Sequence, residues 1–372
     1  MNLLHISPRL RPGSVNALAA DLACGLQQSG FRNTVISPPN ELVGRMAAAS
    51  VQHHSSRNIA LFTYLNEFRR VRRLVESTHA DIILAYTTPA ANLAWRVCYN
   101  MPEEERPRII GIHTTYPQHP GWASSLDRCD ALVAVSRHLR NELTRRARLD
   151  AERNIWVIPY GVNDEVCHPG YRPSAAWLEQ WLRQYKEDAE NTLSVCVPGA
   201  ITPRHGLDDL APILNRLKAA QVPVHVYIAG DTAQADQHYL AKLKKLFKSS
   251  GVDKQITWLG HRPDLRDVIC ICDVVLSLTK EPPSHNRVVQ EALALNRPVA
   301  GYDHGVTGEL LDAFLPEGRV APGDIAGIAD RLEQWHAYRP YINEKIPYPY
   351  RLGDTIRSIA ELCSSLTQGR RS

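Results

Sequence analysis

The chain has 372 residues, 44% of them hydrophobic and 22% charged, with a formal net charge of +4. That length holds two domains of ordinary size, and that balance excludes a disordered chain and a bundle of membrane spans. So mild a charge gives no general argument for nucleic acid, although a local basic face could meet an anionic partner.

The opening MNLLHISPRLRPG has too short an apolar run for a secretory signal, so LLHIS (3–7) reads as a first strand. Further β-rich runs follow: NTVIS (33–37), DIILAY (81–86), RIIGIH (108–113), ALVAVS (131–136) and IWVIPYG (155–161). Between them, VNALAADLACGLQQSG places apolar residues at helical spacing and stops at Gly30. FTYLNEFRRVRRLVEST and RHLRNELTRRA read as two more helices, the second capped by Ser136. A polar, irregular stretch spans 163–191. The second half then repeats the grammar with LSVCVPG, VHVYIAGD, ITWLGH, DVVLSLT, RPVAGYD and GRVAP. No apolar stretch is long enough to span a membrane. The eight cysteines (Cys24, Cys98, Cys129, Cys167, Cys196, Cys270, Cys272 and Cys363) contain no CxxC and read as reduced thiols. Cys270 and Cys272 fall at a helix end.

Strand-helix alternation means parallel sheets covered on both faces. Two such series predict two doubly wound domains rather than one barrel, which would not explain the stretch 163–191. Ligands of open α/β sheets sit beyond the carboxyl ends of the strands, so a cleft between the domains is the expected site. The strand ends are 7–14, 86–88, 113–115 and Ser136 in the first half, then 199–206, 230–231, 260–262 and 280–287. They are polar, glycine-bearing and cationic in places, as an anionic ligand requires.

Taken in order, VAVSRHLRNEL, IPYGVN, VHVYIAGD, ITWLGHRPDLRDVICICDVVLSL, VVQEALALNRPVAGYDHG and EGRVAPGD resemble the family 4 retaining glycosyltransferases of GT-B type. Within that family they are most similar to bacterial enzymes that build lipopolysaccharide and other surface glycans. The resemblance implies an α/β GT-B fold, two Rossmann-like domains facing an interdomain cleft. It places an acceptor domain at 1–162, a nucleotide-sugar donor domain at 163–346, and a segment 347–372 whose helix, roughly 352–366, crosses back to the first domain. It implies a UDP-sugar donor and no cofactor or metal, and the sequence has no DxD.

The same resemblance assigns residues. Glu291 stands where the family holds the donor's ribose hydroxyls, since two carboxylate oxygens can accept from both. Its bland alternative is an ion pair with Arg287 one turn earlier. The family's second acid, eight residues before, is replaced by Pro283, and Glu281 cannot be equated with it. His285 and Asn286 occupy the family's aromatic and glycine positions. Backbone N–H groups of Asn286, Arg287 and Val288 would cradle phosphate at a helix start capped by Ser284. In PGAITPRHG (198–206), Ala200 and His205 replace an arginine and a lysine that neutralise the diphosphate. Arg204 and His205 are then the candidate stabilisers of the leaving group, His205 fully so only when protonated. Gly206 keeps the backbone open before the next helix, and Gly199 and Gly230 end their strands beside the donor. Gly13 retains one glycine of a pair whose backbone approaches phosphate. His113 matches a histidine near the reacting sugar. Glu309 lies near the donor, or is a helix-start acid favoured by the dipole. Backbone groups of Gly260, His261 and Arg262 would read the base.

Arg69, Arg70, Arg72 and Arg73 share one predicted helix, and Arg137, Arg140, Arg145, Arg146 and Arg148 lie on or beside another. They form a solvated surface or a dock for anionic lipid or glycolipid at the inner membrane. No nucleic-acid motif accompanies them. The expected function is a cytoplasmic transferase, peripheral on the inner face of the inner membrane, adding sugar to a surface glycan or glycolipid. The alternatives are a pseudo-glycosyltransferase that binds nucleotide, glycan or protein partner without turnover, supported by Ala200, His205 and Pro283, and a sugar-nucleotide epimerase of the same fold.

Overall fold

The computed structural model describes residues 1–7, 17–56, 64–116, 126–147, 155–185, 191–338 and 349–368. The chain divides into two compact units, Met1–Gly161 with Tyr350–Ser372, and Val162–Pro349.

The strands of the first unit are β1 (Asn2–Ile6), β2 (Arg32–Ser37), β3 (Gln52–Ser55), β4 (Ile82–Ala85), β5 (Arg108–His113), β6 (Ala131–Ala134) and β7 (Ile155–Val157). They pair in the order β3-β2-β1-β4-β5-β6-β7, parallel throughout. A parallel sheet is covered on both faces, so β4 (IILA) and β6 (ALVA) are apolar and buried at every residue. The short strand β3 (QHHS) is not legible in the sequence. It lies at the sheet edge, where backbone pairing of Gln52 with Thr34 and its neighbours defines it and side chains need not be apolar. The run expected as a strand over 155–161 stops at Val157, two residues before Pro159, which lacks an N–H for the ladder.

Helices Leu18–Gln28, Leu42–Ala48, Tyr64–Thr78, Thr88–Cys98 and Arg137–Ala147 cover this sheet. Ser136 caps the last of these, its Oγ accepting from Leu139 N at 3.1 Å. The chain's final helix, Leu352–Gln368, packs on Leu18–Gln28. A Cβ added to Gly25 would stand 2.2 Å from Ile356 Cδ1. Thr355 pins the helix, donating to Pro159 O at 2.8 Å and accepting from Gly161 N at 3.0 Å. Ile359, Leu362 and Cys363 complete the core of the unit.

The second unit has β8 (Leu193–Pro198), β9 (Val224–Ala229), β10 (Ile256–Gly260), β11 (Val274–Ser277), β12 (Val299–Tyr302) and β13 (Arg319–Val320). They pair in parallel in the order β10-β9-β8-β11-β12-β13. Its helices are Ala175–Gln184, Leu210–Ala219, Gln237–Ser249, Leu265–Ile271, Arg287–Ala294, Gly305–Phe314 and Ile325–Ala337. The first of these corrects the expectation of an irregular stretch over 163–191. Ser174 caps it, accepting from Trp177 N at 3.2 Å. Trp181, one turn after Trp177, seats it on Tyr227 of β9 with ring centroids 5.2 Å apart. The eight cysteines are all buried.

Both sheets therefore have the doubly wound order. In each, the order reverses between two central strands, β1 and β4 in one, β8 and β11 in the other. Connections leave those strands toward opposite faces, which opens a crevice at their carboxyl ends.

Candidate functional site

The crevice between β8 and β11 holds a cavity of about 90 Å³. Gly199, Ala200, Arg204, His205, Pro283 and Asn286 are among the residues that line it. Two loops and one helix build it.

The first loop, 199–206, follows β8 and is held by close backbone approaches. Gly199 sits at φ 137° and Gly206 at φ 68°. A Cβ on Gly230 would stand 1.8 Å from Gly199 O, and one on Gly206 2.1 Å from Leu278 O. Only glycine permits either approach. Ile201 N donates to Asp231 O at 2.9 Å, and Lys280 N donates to Arg204 O at 2.8 Å. The loop is thus tied to the strand ends on both sides. The Arg204 side chain is exposed. His205 is half-buried, and Thr202 Oγ1 lies 2.8 Å from its Nδ1. Burial, with a smaller push from Arg204, lowers the His205 pKa below the ordinary imidazole value. That disfavours the protonated form in which His205 would fully stabilise a leaving group, and leaves Arg204 as the cationic side chain of this loop.

The second loop, 279–286, follows β11. Pro283 is buried, and its carbonyl accepts from Val306 N at 2.8 Å, beside Gly305 at φ 57°. The His304 ring meets Thr279 O at 2.6 Å. Both ring nitrogens of His285 are buried, and burial, helped by Arg287, pushes its pKa down to about 3. The helix Arg287–Ala294 is capped by Asn286, whose Oδ1 accepts from Val289 N at 3.4 Å. Ser284 is therefore not the cap that the sequence suggested. Asn286 suits the place because its Nδ2 also donates to Ser277 Oγ at 3.1 Å and Thr307 Oγ1 at 2.9 Å. Its side chain is committed to joining the loop, β11 and the next helix. Val288 lines the cavity from the first turn.

Glu291 lies one turn further on, with Arg287 Nε 2.7 Å from its Oε1. Sequence reasoning missed a second network beneath the loops. Lys280 Nζ contacts Asp208 at 2.5 Å and Asp209 at 3.2 Å. Tyr239 donates to Asp208 at 2.9 Å and Tyr302 to Asp209 at 2.7 Å. Desolvation opposes charge on Lys280, but the two aspartates overcome it and raise the pKa. No local pattern marks this network, because its members come from four separate segments.

Gly260 ends β10 at φ 66°, followed by exposed His261. Arg262 is bound by Asp264 at 2.6 Å, and its guanidinium lies 5.6 Å from the Trp181 ring centroid. Trp177 Nε1 donates to the same Asp264 at 2.6 Å. Burial acts to raise the Asp264 pKa, but the bonds from Trp177 and Arg262 hold it below the carboxylate range. The turn is thus clamped to the helix that the sequence left unread. A cavity of about 210 Å³ opens between them.

Glu291 and Glu309 are not among the residues that line the 90 Å³ cavity. Glu309 is half-buried in the helix Gly305–Phe314, beyond its first turn. His113 belongs to the first unit, buried at the end of β5. Burial lowers its pKa to about 4, and its Nε2 has no partner among the described residues. Gly13 lies outside the described residues.

The model described as Glycosyltransferase Family 4 matches residues 15–166, and the one described as Glycosyl transferases group 1 matches residues 192–337. A search of curated proteins finds no match. Among solved structures, a glycosyltransferase from Rickettsia africae is similar at 18% identity and TM-score 0.85, over 98% of each chain. Anabaena Alr3699/HepE, in complex with UDP and glucose, is similar at 18% identity and TM-score 0.80, over 98% of this chain and 100% of that one. The lipopolysaccharide outer core galactosyltransferase WaaB is similar at 12% identity and TM-score 0.74, over 98% of this chain and 100% of that one. The fold is GT-B, and with one family model on each half in the expected order, the chain belongs to glycosyltransferase family 4.

Proposed function

We propose that this glycosyltransferase moves a sugar from UDP to a bacterial surface glycan or glycolipid with retention, the second unit holding the donor and the first the acceptor. The observation that carries the reading is the cavity at the β8–β11 reversal, lined by a glycine loop, Arg204 and a helix start. Such a position suits an anionic ligand, because a helix N-terminus and a guanidinium both favour negative charge. The UDP and UDP-glucose complexes of the Anabaena protein support UDP as the carrier. The lipopolysaccharide role in the name of WaaB supports a surface-glycan acceptor.

In this mechanism Glu291 accepts from the ribose hydroxyls, and backbone groups of Gly260, His261 and Arg262 meet the base. Arg204 and the start of the Arg287–Ala294 helix stabilise the diphosphate as charge grows on it during departure. Neutral His205 donates a hydrogen bond from Nε2 while Thr202 donates to Nδ1. His113 attends the reacting sugar. Gly13 and Glu309 complete the donor contacts. On the first unit, Arg69, Arg70, Arg72 and Arg73 are exposed on the helix Tyr64–Thr78. They form a basic face for the anionic surface that presents a glycolipid. No helix of the described residues is long and apolar enough to cross a membrane. The enzyme would then work at the inner face of the inner membrane as a peripheral protein.

The second reading, nucleotide binding without turnover, draws on the loss of a second fixed cation at Ala200 and His205. The deciding experiment is release of UDP from UDP-sugars, with and without a surface-glycan extract. Clear UDP binding with no turnover on any donor selects the second reading. Turnover selects the first.

A further inference from the structure

We infer that the cavity at the β8–β11 reversal selects a donor sugar bearing an N-acylamino group, whose acyl methyl enters the apolar floor. This inference rests on the nucleotide-sugar reading of the same site and names the class of sugar.

The composition of the cavity carries the inference. Its lining includes Val197, Leu207, Val275 and Leu278, with Ala200 and Pro283 at the loops, and no aspartate or glutamate. The one carboxamide there, Asn286, has its Nδ2 and Oδ1 bonded within the protein. Among the described residues, the cavity wall therefore offers no carboxylate to accept from the transferred sugar's hydroxyls. A hydroxyl placed on the part of the wall formed by Val197, Leu207, Val275 and Leu278 would exchange water for hydrocarbon, which is unfavourable without a partner. A methyl entering it gains by leaving water.

The polar rim suits the amide. In the tautomer whose Nδ1 accepts from Thr202 Oγ1, 2.8 Å away, the His205 Nε2–H is left as a donor for the amide carbonyl.

The test is calorimetry on the full chain with three probes: UDP, UDP-glucose and UDP-N-acetylglucosamine. The N-acetyl donor is expected to bind about ten-fold more tightly than UDP-glucose, the low end for a small apolar group in a matched pocket. Ala200→Leu, which narrows the cavity, should abolish that ratio while the UDP measurement reports the state of the nucleotide site. Pro283→Glu supplies a carboxylate and should turn the ratio toward UDP-glucose, which keeps the idea testable if the first variant does not fold. Equal or reversed affinities in the wild-type chain, with UDP bound, overturn the N-acyl assignment alone. Failure to bind UDP overturns the nucleotide-sugar reading and this inference with it.

Discussion

Arg287 and Glu291 face each other across one helical turn, with Nε 2.7 Å from Oε1. The Glu291 side chain is 14% exposed and that of Arg287 37%. The pair holds the acid in one orientation, and the proposed mechanism uses that acid to accept from the ribose hydroxyls. Glu291→Gln should therefore weaken UDP binding by about 1–3 kcal/mol, the usual cost of losing charged hydrogen bonds. Calorimetry on a folded variant checks this, and unchanged affinity would remove Glu291 from the site.

Arg204 is exposed and lines the cavity, whereas burial lowers the pKa of His205. Arg204→Ala should lower kcat more than it raises KM, because the charge it meets is largest in the transition state. Arg204→Lys should recover part of the loss. Steady-state UDP release measures both, and chelation of divalent ions should leave the wild-type rate unchanged. An equal rise in KM with kcat intact would show that Arg204 only binds.

Three histidines with buried rings, His5, His113 and His285, should make stability pH-dependent. Burial lowers His5 to about 4, partly opposed by its bond to Asn33, lowers His113 to about 4, and takes His285 to about 3. In the unfolded chain each titrates near 6.5. Between about 6.5 and 4 the unfolded state therefore binds more protons, so stability falls as pH falls and changes little above 7 on their account. Melting temperatures from pH 8 to 4 should trace that loss. His113→Gln should flatten the slope, because its lowered pKa has burial as its cause.

Gly230 has no room for a side chain, since a Cβ would lie 1.8 Å from Gly199 O. Gly230→Ala should destabilise the second unit by about 1–3 kcal/mol, as overpacking does elsewhere. Denaturant unfolding measures it. A Gly251→Ala control has open space, with Lys218 Nζ at 3.9 Å, and feels only its positive φ of 66°. Equal losses at the two positions would refute the steric account.

Trp177→Phe keeps a ring beside Trp181 but removes the 2.6 Å bond to Asp264. The expected cost is about 1 kcal/mol of stability. If the 260–262 turn reads the base, UDP affinity should fall as well, while inorganic diphosphate affinity should not. Parallel titrations with both ligands separate a positioned turn from a general loss of structure.

How much of this was legible beforehand depends on the range of the interaction. Glu291 and Arg287 share one helix, so their spacing alone predicts that they meet. Ser136 likewise announces a cap by preceding an amphipathic run. Ser284 shows the limit of local reading. It is as good a cap residue as Asn286, and what favoured Asn286 was a set of partners, Ser277 and Thr307, from other segments. The helix Ala175–Gln184 hid for a related reason: Trp181 is its one buried residue, and Tyr227, which that ring meets, lies far along the chain.

The sequence by itself determined the alternation of strands and helices, and with it two doubly wound sheets, because hydrophobic periodicity and glycine stops are local properties of the chain. It also determined which charged and glycine residues fall at strand ends. Only the tertiary structure decided what those residues became. It lowered the His205 pKa, tied Lys280 to Asp208 and Asp209, and set Pro283 in the wall of a cavity lined, among the described residues, by no carboxylate. Protonation, ion pairing and cavity shape depend on distances between segments remote in sequence and on the water excluded between them. Those distances exist once the sheets have formed and brought the strand ends together.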